Sequence, residues 1–471
     1  MNEVRKRINK YDQGKKEQLV TLGQDKKKSY KEILAYLGNE IKMSTKMASF
    51  HHKILCFKSD GVYQLNKAIE SIYGVSAVKS DDRPSGGNSP IDTIDVTLAD
   101  GTRVKVPYGE ISLPDLGDGA NINITYSEDN ILHVSGQCEF RFSSMIDDIV
   151  TETRDLLNTN SIYQDQAVEI NSDMVPQIME LNQYKETFMI ISDKTAYDLR
   201  PLYTRIRKAD ECRANGIPLK TGVLLEGIYG TGKTLLAFKV AHEAIQNNWS
   251  FIYLKDPTLL ARVLKLSQTL DNNGNGVIVF VEDVDQVTRG DRNTAMQDIL
   301  NTLDGGDTKN MNVIALFTTN HIELIEPTFL RGKRIGSIVS MGHLDPKTAR
   351  QFIDHTFSEY EMVEPEGKIT FEKVCENITE AEIVPAFMAE ICESVKSNML
   401  FDDSNIVNPH FIQASLESYL RQVKLATKKN MDETKELKVY NALKTLIGDS
   451  VEETAVIKDM ATDVDNISSN F

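Results

Sequence analysis

The run GIYGTGKT, Gly227 to Thr234, constrains this chain more than any other eight residues in it. Before it stands TGVLLE, an apolar stretch of strand length. After it, from Lys233, comes KTLLAFKVAHEAI, whose apolar residues recur at helical spacing. The run is therefore the turn between a strand and a helix. Gly227, Gly230 and Gly232, with the small Thr231, leave the backbone bare, so successive N–H groups converge on one point. The start of the helix adds a partial positive charge there. With Ile228 and Tyr229 in its variable positions, the run fits G-x-x-x-x-G-K-[ST] in full. Such a turn holds a phosphate chain. Lys233 would reach the β- and γ-phosphates of ATP, and the Thr234 hydroxyl would ligate Mg²⁺.

Three further runs bear on the chemistry of the bound phosphates. VIVFVEDVDQV, Val277 to Val287, begins as a buried central strand and ends in Glu282 and Asp283. An open α/β sheet binds its ligands at that end of its strands. One of these carboxylates can hold the Mg²⁺ water shell, and the other can orient and deprotonate an attacking water. NVIALFTTN, Asn312 to Asn320, is a second buried strand, and it brings Asn320 beside the γ-phosphate. FLRGKR, Phe329 to Arg334, supplies Arg331 and Arg334 near the sheet edge. Either could neutralise charge on a neighbouring subunit's γ-phosphate.

At 471 residues the chain exceeds one hydrophobic core and calls for about three domains. Residues 1–48 read as a basic helical leader. Residues 1–60 carry 14 Lys/Arg against 7 Asp/Glu, so the rest of the chain stands at −23 within a total of −16. The acidic body argues against a broad nucleic-acid surface. The leader reads as a solvated helix or as an arm for an acidic partner or nucleic acid. Residues 49–158 form a small α+β domain. KILCF, the hairpin IDVTLADGTRVKVPYG, INITYS, LHVSG and EFRF are its strands, and VYQLNKAIESIYG and SSMIDDIVTETRDLLN its helices, with Ser143 or Ser144 as a cap and PSGGNSP as a loop. Residues 159–345 alternate strand and helix, which implies a parallel sheet covered on both faces. Residues 346–426 read as helical throughout, and 427–471 as an acidic tail, disordered towards its end. Five scattered cysteines without a CxxC spacing fit reduced thiols in a cytosolic protein. His51, His52 and Cys56 lack a fourth metal ligand. No apolar run of about 18 residues is present, so no membrane span is expected.

In this order the runs resemble the AAA ATPases over roughly residues 185–425. DILNTLDG, Asp298 to Gly305, is similar to that family's helix and Leu-Asp-Gly element facing the next subunit. TTNHIELIEPTFLRGKR resembles its second region of homology, and TEAEIVPAFMAEI its lid helix. The resemblance implies an α/β P-loop NTPase of AAA+ type with a helical lid. It also implies a homo-oligomeric ring, usually of six, with Asn320 as sensor, Arg334 as an arginine finger acting on the next subunit and Arg331 in support. Some phage-encoded AAA proteins carry similar runs, including the Glu-Asp order, and the cytoplasm, a host's if the chain is viral, is the expected compartment.

The sequence departs from the family in three places. Glu282 precedes Asp283 where Asp then Glu is usual; the family's positional roles put Glu282 on the Mg²⁺ side and make Asp283 the base, one methylene shorter, so slower hydrolysis is expected. Ser337 stands where a further arginine is frequent. The position resembling the aromatic of the pore loop is Val263, followed by Leu264. The leading reading is a ring that remodels or unfolds a protein, with the α+β domain selecting client or adaptor. A nucleic-acid motor or loader using Lys255, Arg262 and Lys265, and a slow nucleotide-gated assembly scaffold, are the alternatives.

Overall fold

A computed structural model describes residues 42–74, 92–270, 276–288, 312–331, 334–365 and 369–424. Most of the basic leader, PSGGNSP, DILNTLDG, the middle of FLRGKR and the acidic tail lie outside these residues. The chain divides into two compact units, Met1–Gly342 and His343–Phe471. No helix among the described residues is long and apolar enough to cross a membrane.

The first unit opens with β1 (Met47–Leu55), α1 (Lys58–Tyr73), the hairpin β2 (Thr93–Thr97) and β3 (Arg103–Pro107), then β4 (Gly109–Ser112), β5 (Asn121–Tyr126), β6 (Ile131–Glu139) and α2 (Ser143–Thr159). An antiparallel sheet of order β1-β6-β5-β4 carries α1 and α2, which pack on each other. Helix α1 stops at Gly74, whose φ of 87° is a left-handed cap. Two local expectations are corrected. EFRF is not a strand: Phe140–Phe142 is a turn of 3₁₀ helix after β6. Neither serine caps α2. Phe142 is its N-cap, and Ser143 Oγ instead donates back to the Phe140 carbonyl at 2.8 Å.

The rest of this unit is a seven-stranded sheet. Its strands are β7 (Ala167–Ile170), β8 (Pro176–Ile178), β9 (Thr221–Glu226), β10 (Ser250–Leu254), β11 (Val277–Val281), β12 (Val313–Thr319) and β13 (Ile335–Ser340), ordered β13-β9-β12-β11-β10-β7-β8. Every pair is parallel except β7 with β8. All five residues of β11 and all seven of β12 are buried, as for strands covered on both sides; apart from the two threonines that end β12, every one of them is apolar. On one face α3 (Lys233–Gln246) packs Leu236, Phe238 and Val240 with Phe251, Phe280 and Leu316 of the strands. On the other face the sheet shares one apolar cluster with the N-terminal α+β region, in which Ile252, Val279 and Phe317 join Leu65, Ile124 and Ile149.

That shared cluster overturns one expectation. Helix α4 (Leu260–Leu266) follows β10 and carries Val263 and Leu264, the residues placed in a pore loop. They are 0% and 3% exposed and belong to the cluster between the two layers. Two adjacent branched apolar side chains follow the larger dry surface on offer, which here is the second layer. In this conformation they are core and present nothing to a pore.

The second unit is largely helical: α5 (Pro346–Thr356), α6 (Phe371–Glu380), α7 (Pro385–Phe401) and a helix over 409–424. Helical structure is not continuous, because β14 (Glu361–Met362) pairs in parallel with β15 (Ile406–Val407). TEAEIVPAFMAEI is not one helix either. Glu382 has a positive φ of 54° between α6 and α7, and Pro385 opens the second helix at a position where its missing N–H is harmless.

Candidate nucleotide site

The sheet order sets the site. β9 lies next to β12, and β12 next to β11, so the turn after β9, Asn320 after β12 and Glu282-Asp283 after β11 emerge side by side at the C-terminal edge. The turn Gly227–Gly232 joins β9 to α3. A Cβ on Gly227 would sit 2.0 Å from the Met341 carbonyl oxygen, and Gly232 holds φ at 91° as the N-cap of α3, so neither position admits another side chain without strain. Ile228 and Tyr229 are 47% and 68% exposed, and the Thr231 hydroxyl donates to the Ile228 carbonyl at 2.9 Å to brace the turn.

Lys233 is 7% exposed and folded into its own loop. Its ammonium donates to the Gly227 carbonyl at 2.7 Å, the Ile228 carbonyl at 3.0 Å and Asn320 Oδ1 at 2.8 Å. Burial lowers its pKa from the ordinary lysine value, and the carboxylates of Asp283, Glu226, Glu282 and Asp285 pull the other way. Asn320 Nδ2 donates to Asp283 Oδ1 at 2.8 Å, so the one amide bridges the loop lysine and the acid. The Thr234 hydroxyl donates to Glu282 Oε1. The two carboxylates thus have separate neighbours, Thr234 for Glu282 and Asn320 for Asp283.

Asp283 is a non-glycine residue at φ 48°, a left-handed conformation that aspartate tolerates better than most. Its amide donates to Thr318 Oγ1 at 3.1 Å, which ties the bend to β12. Burial raises its carboxyl from the ordinary aspartate value, as do the nearby Asp285 and Glu282, while Lys233 and His321 act to lower it. A left-handed bend beside a crowd of like charges is the kind of local strain that functional sites retain.

Several partners were not singled out in the sequence. Asp285, 3% exposed, accepts from the Thr319 hydroxyl at 3.0 Å and pins the strand tips together. It was legible as the third acid of EDVD. Tyr253 OH donates to Glu282 Oε2 at 2.5 Å, and Glu226 accepts from Ser340 Oγ. Neither had a sequence signal, because each depends on strand order. Arg334 donates from Nη1 to the Thr328 carbonyl of its own chain, and Arg331 is exposed. The basic residues near β10 are not gathered for a phosphate backbone: Lys255 pairs with Glu169 at 2.8 Å, and Arg262 Nε is buried.

Among the described residues no group of three or more His, Cys, Asp or Glu is arranged to hold a metal ion. The hard oxygens of Thr234 and Glu282, touching each other at the loop's edge, fit an ion such as Mg²⁺ that keeps most of its water and completes its shell with phosphate oxygens.

A parallel sheet bearing this loop, with carboxylates and an amide on the neighbouring strand tips, defines a P-loop nucleoside triphosphatase domain. Residues 223–343 match the ATPase family associated with various cellular activities (AAA). The chain is 34% identical over 157 residues to cell division control protein 48 homolog C of Arabidopsis thaliana, a match covering 30% of this chain and 18% of that protein. It is 31% identical over 160 residues to the 26S proteasome regulatory subunit 4 homolog of Encephalitozoon cuniculi, covering 30% and 37%. It is 31% identical over 157 residues to an AAA ATPase forming ring-shaped complexes from Corynebacterium kroppenstedtii, covering 28% and 27%. The chain thus spans well under half the length of each of these relatives.

Proposed function

We propose that this chain binds and hydrolyses ATP and that it works as a homo-oligomeric ring, of six subunits by resemblance, to remodel or unfold a protein client. The observation that carries the reading is the Asn320 amide, which links Lys233 to Asp283 at one point on the strand tips. In this reading Lys233 leaves the Gly227 and Ile228 carbonyls and turns to the β- and γ-phosphates, while the amides of 227–232 cradle the chain. Asp283 then accepts a proton from the attacking water, and Asn320 keeps that water in line. Mg²⁺, held near Thr234 and Glu282, supplies neutralising charge to the phosphate oxygens when bound. Arg334, with Arg331 beside it, would leave its own carbonyl partner to act on the next subunit's γ-phosphate.

A protein client fits better than a nucleic acid, because the formal charge is −16 and Lys255 is already paired. The N-terminal α+β region is the proposed client or adaptor surface, and the cytoplasm the proposed compartment. Burial of Val263 and Leu264 favours a second reading, a slow nucleotide-gated scaffold, since it removes the apolar pair that would grip a threaded chain. Lys233→Ala tests the shared core of both: a labelled ATP analogue binds the wild type and fails to bind the variant. Equal binding to both would show the loop to be incidental. Stimulation of turnover by unfolded protein then separates remodeller from scaffold.

A further inference from the structure

Glu282 is one methylene longer than the aspartate the family usually has there, and a longer carboxylate has one more torsion to fix. Both of its oxygens are engaged. Oε1 accepts from the Thr234 hydroxyl, and Oε2 accepts from the Tyr253 hydroxyl at 2.5 Å. Tyr253 comes from the neighbouring strand. β10 runs parallel to β11 with Tyr253 opposite Phe280, two residues before Glu282, so the phenol reaches along the sheet edge to the carboxylate.

The ring is held on two sides. It stacks on Phe280 with centroids 5.4 Å apart, and it meets Phe238 of α3 edge-on at 5.5 Å. Phe238 in turn stacks on Tyr184 at 4.3 Å. A ring so flanked cannot swing away without giving up aromatic contacts, and its hydroxyl is presented at a fixed place. The phenol is the donor in this bond, because a carboxylate oxygen can only accept.

We infer that Tyr253 is the positioning residue for Glu282: its hydroxyl fixes one oxygen of the long carboxylate so that the other is turned to Thr234, where a nucleotide-bound divalent cation would be held. The inference rests on the nucleotide reading above. Tyr253 takes up the extra length of Glu282, so the pair acts as one device. Groups that orient a metal-side carboxylate typically matter by about tenfold or more in metal affinity.

The test uses the full chain with a non-hydrolysable ATP analogue and Mn²⁺, with bound Mn²⁺ read by electron paramagnetic resonance. Tyr253→Phe keeps the ring and its packing. It lowers Mn²⁺ affinity about tenfold and leaves affinity for the metal-free analogue unchanged, and the Mg²⁺ concentration for half-maximal turnover rises in step. In a Glu282→Asp background, whose carboxylate no longer spans both partners, Tyr253→Phe adds nothing. Unchanged Mn²⁺ affinity in Tyr253→Phe, or an equal loss in both backgrounds, overturns the inference. A wild type that binds neither analogue nor Mn²⁺ overturns the nucleotide reading, and the inference with it.

Discussion

The first unit keeps acids in two settings. Near the start of α1, Asp60 is 0% exposed, yet both of its carboxylate oxygens are engaged: Ser161 Oγ donates at 2.5 Å, the Ile162 amide at 3.2 Å and Gln64 Nε2 at 3.2 Å. At the strand tips, Asp283 is half-buried, and its carboxylate accepts one side-chain bond, from Asn320. Burial raises the pKa of both, Asp60 to about 6. The difference lies in the neighbours. Neutral donors surround Asp60, which fastens the start of the segment leading into β7. Charged Asp285, Glu282 and Lys233, with His321, act on Asp283. A buried acid held by several neutral donors on both oxygens is a fastener. One left short of donors among charges is poised to take a proton.

The sharpest way to break this contrast is Asp283→Asn. Turnover falls by about a hundredfold or more while ATP still binds, because the amide keeps the Asn320 contact and loses the base. If Glu282→Gln halts turnover and Asp283→Asn does not, the two acids have exchanged roles.

The next largest effect concerns the interlayer core. Leu264→Ala destabilises the first unit by about 2–5 kcal/mol, as removal of a buried leucine does. The chain's single tryptophan, Trp249, is buried in this unit, so its fluorescence reports the loss in a urea titration. An unchanged midpoint together with reduced client-stimulated turnover would return Leu264 to a pore.

The smallest effect is electrostatic. The folded pKa of Asp60, about 6, lies above the unfolded value of 3.8, so the folded state holds its proton more tightly. This contribution to stability is present at low pH and lost as pH rises through about 6. Against an Asp60→Asn control, the wild type gains about 1 kcal/mol on going from pH 7 to pH 5, read from Trp249 fluorescence. A flat difference would mean that the donors around Asp60 hold it ionised throughout.

The site was more legible than the fold around it. Gly227, Gly232, Lys233, Thr234, Glu282, Asp283 and Asn320 are gathered as the sequence implied, because each sits at the end of an apolar run whose length and flanks mark a strand. The misreadings share one cause. Val263 and Leu264 form an apolar pair that periodicity cannot assign to a core or to a pore. EFRF alternates like a strand, but Phe142 turns inward to seed α2. Local pattern names an apolar face and leaves open what covers it.

The sequence by itself determined the phosphate loop, the acids and amide that come after the buried strands, and the alternation that makes a parallel sheet, since these depend on backbone sterics and on the period of side chains along one segment. Only the tertiary structure decided that Tyr253 meets Glu282, that Asp60 is a fastener and Asp283 is not, and that α4 is sealed beneath the N-terminal layer. Those outcomes depend on which strands lie side by side and which surfaces are dried together. Such contacts join residues far apart in the chain, and no single segment specifies them.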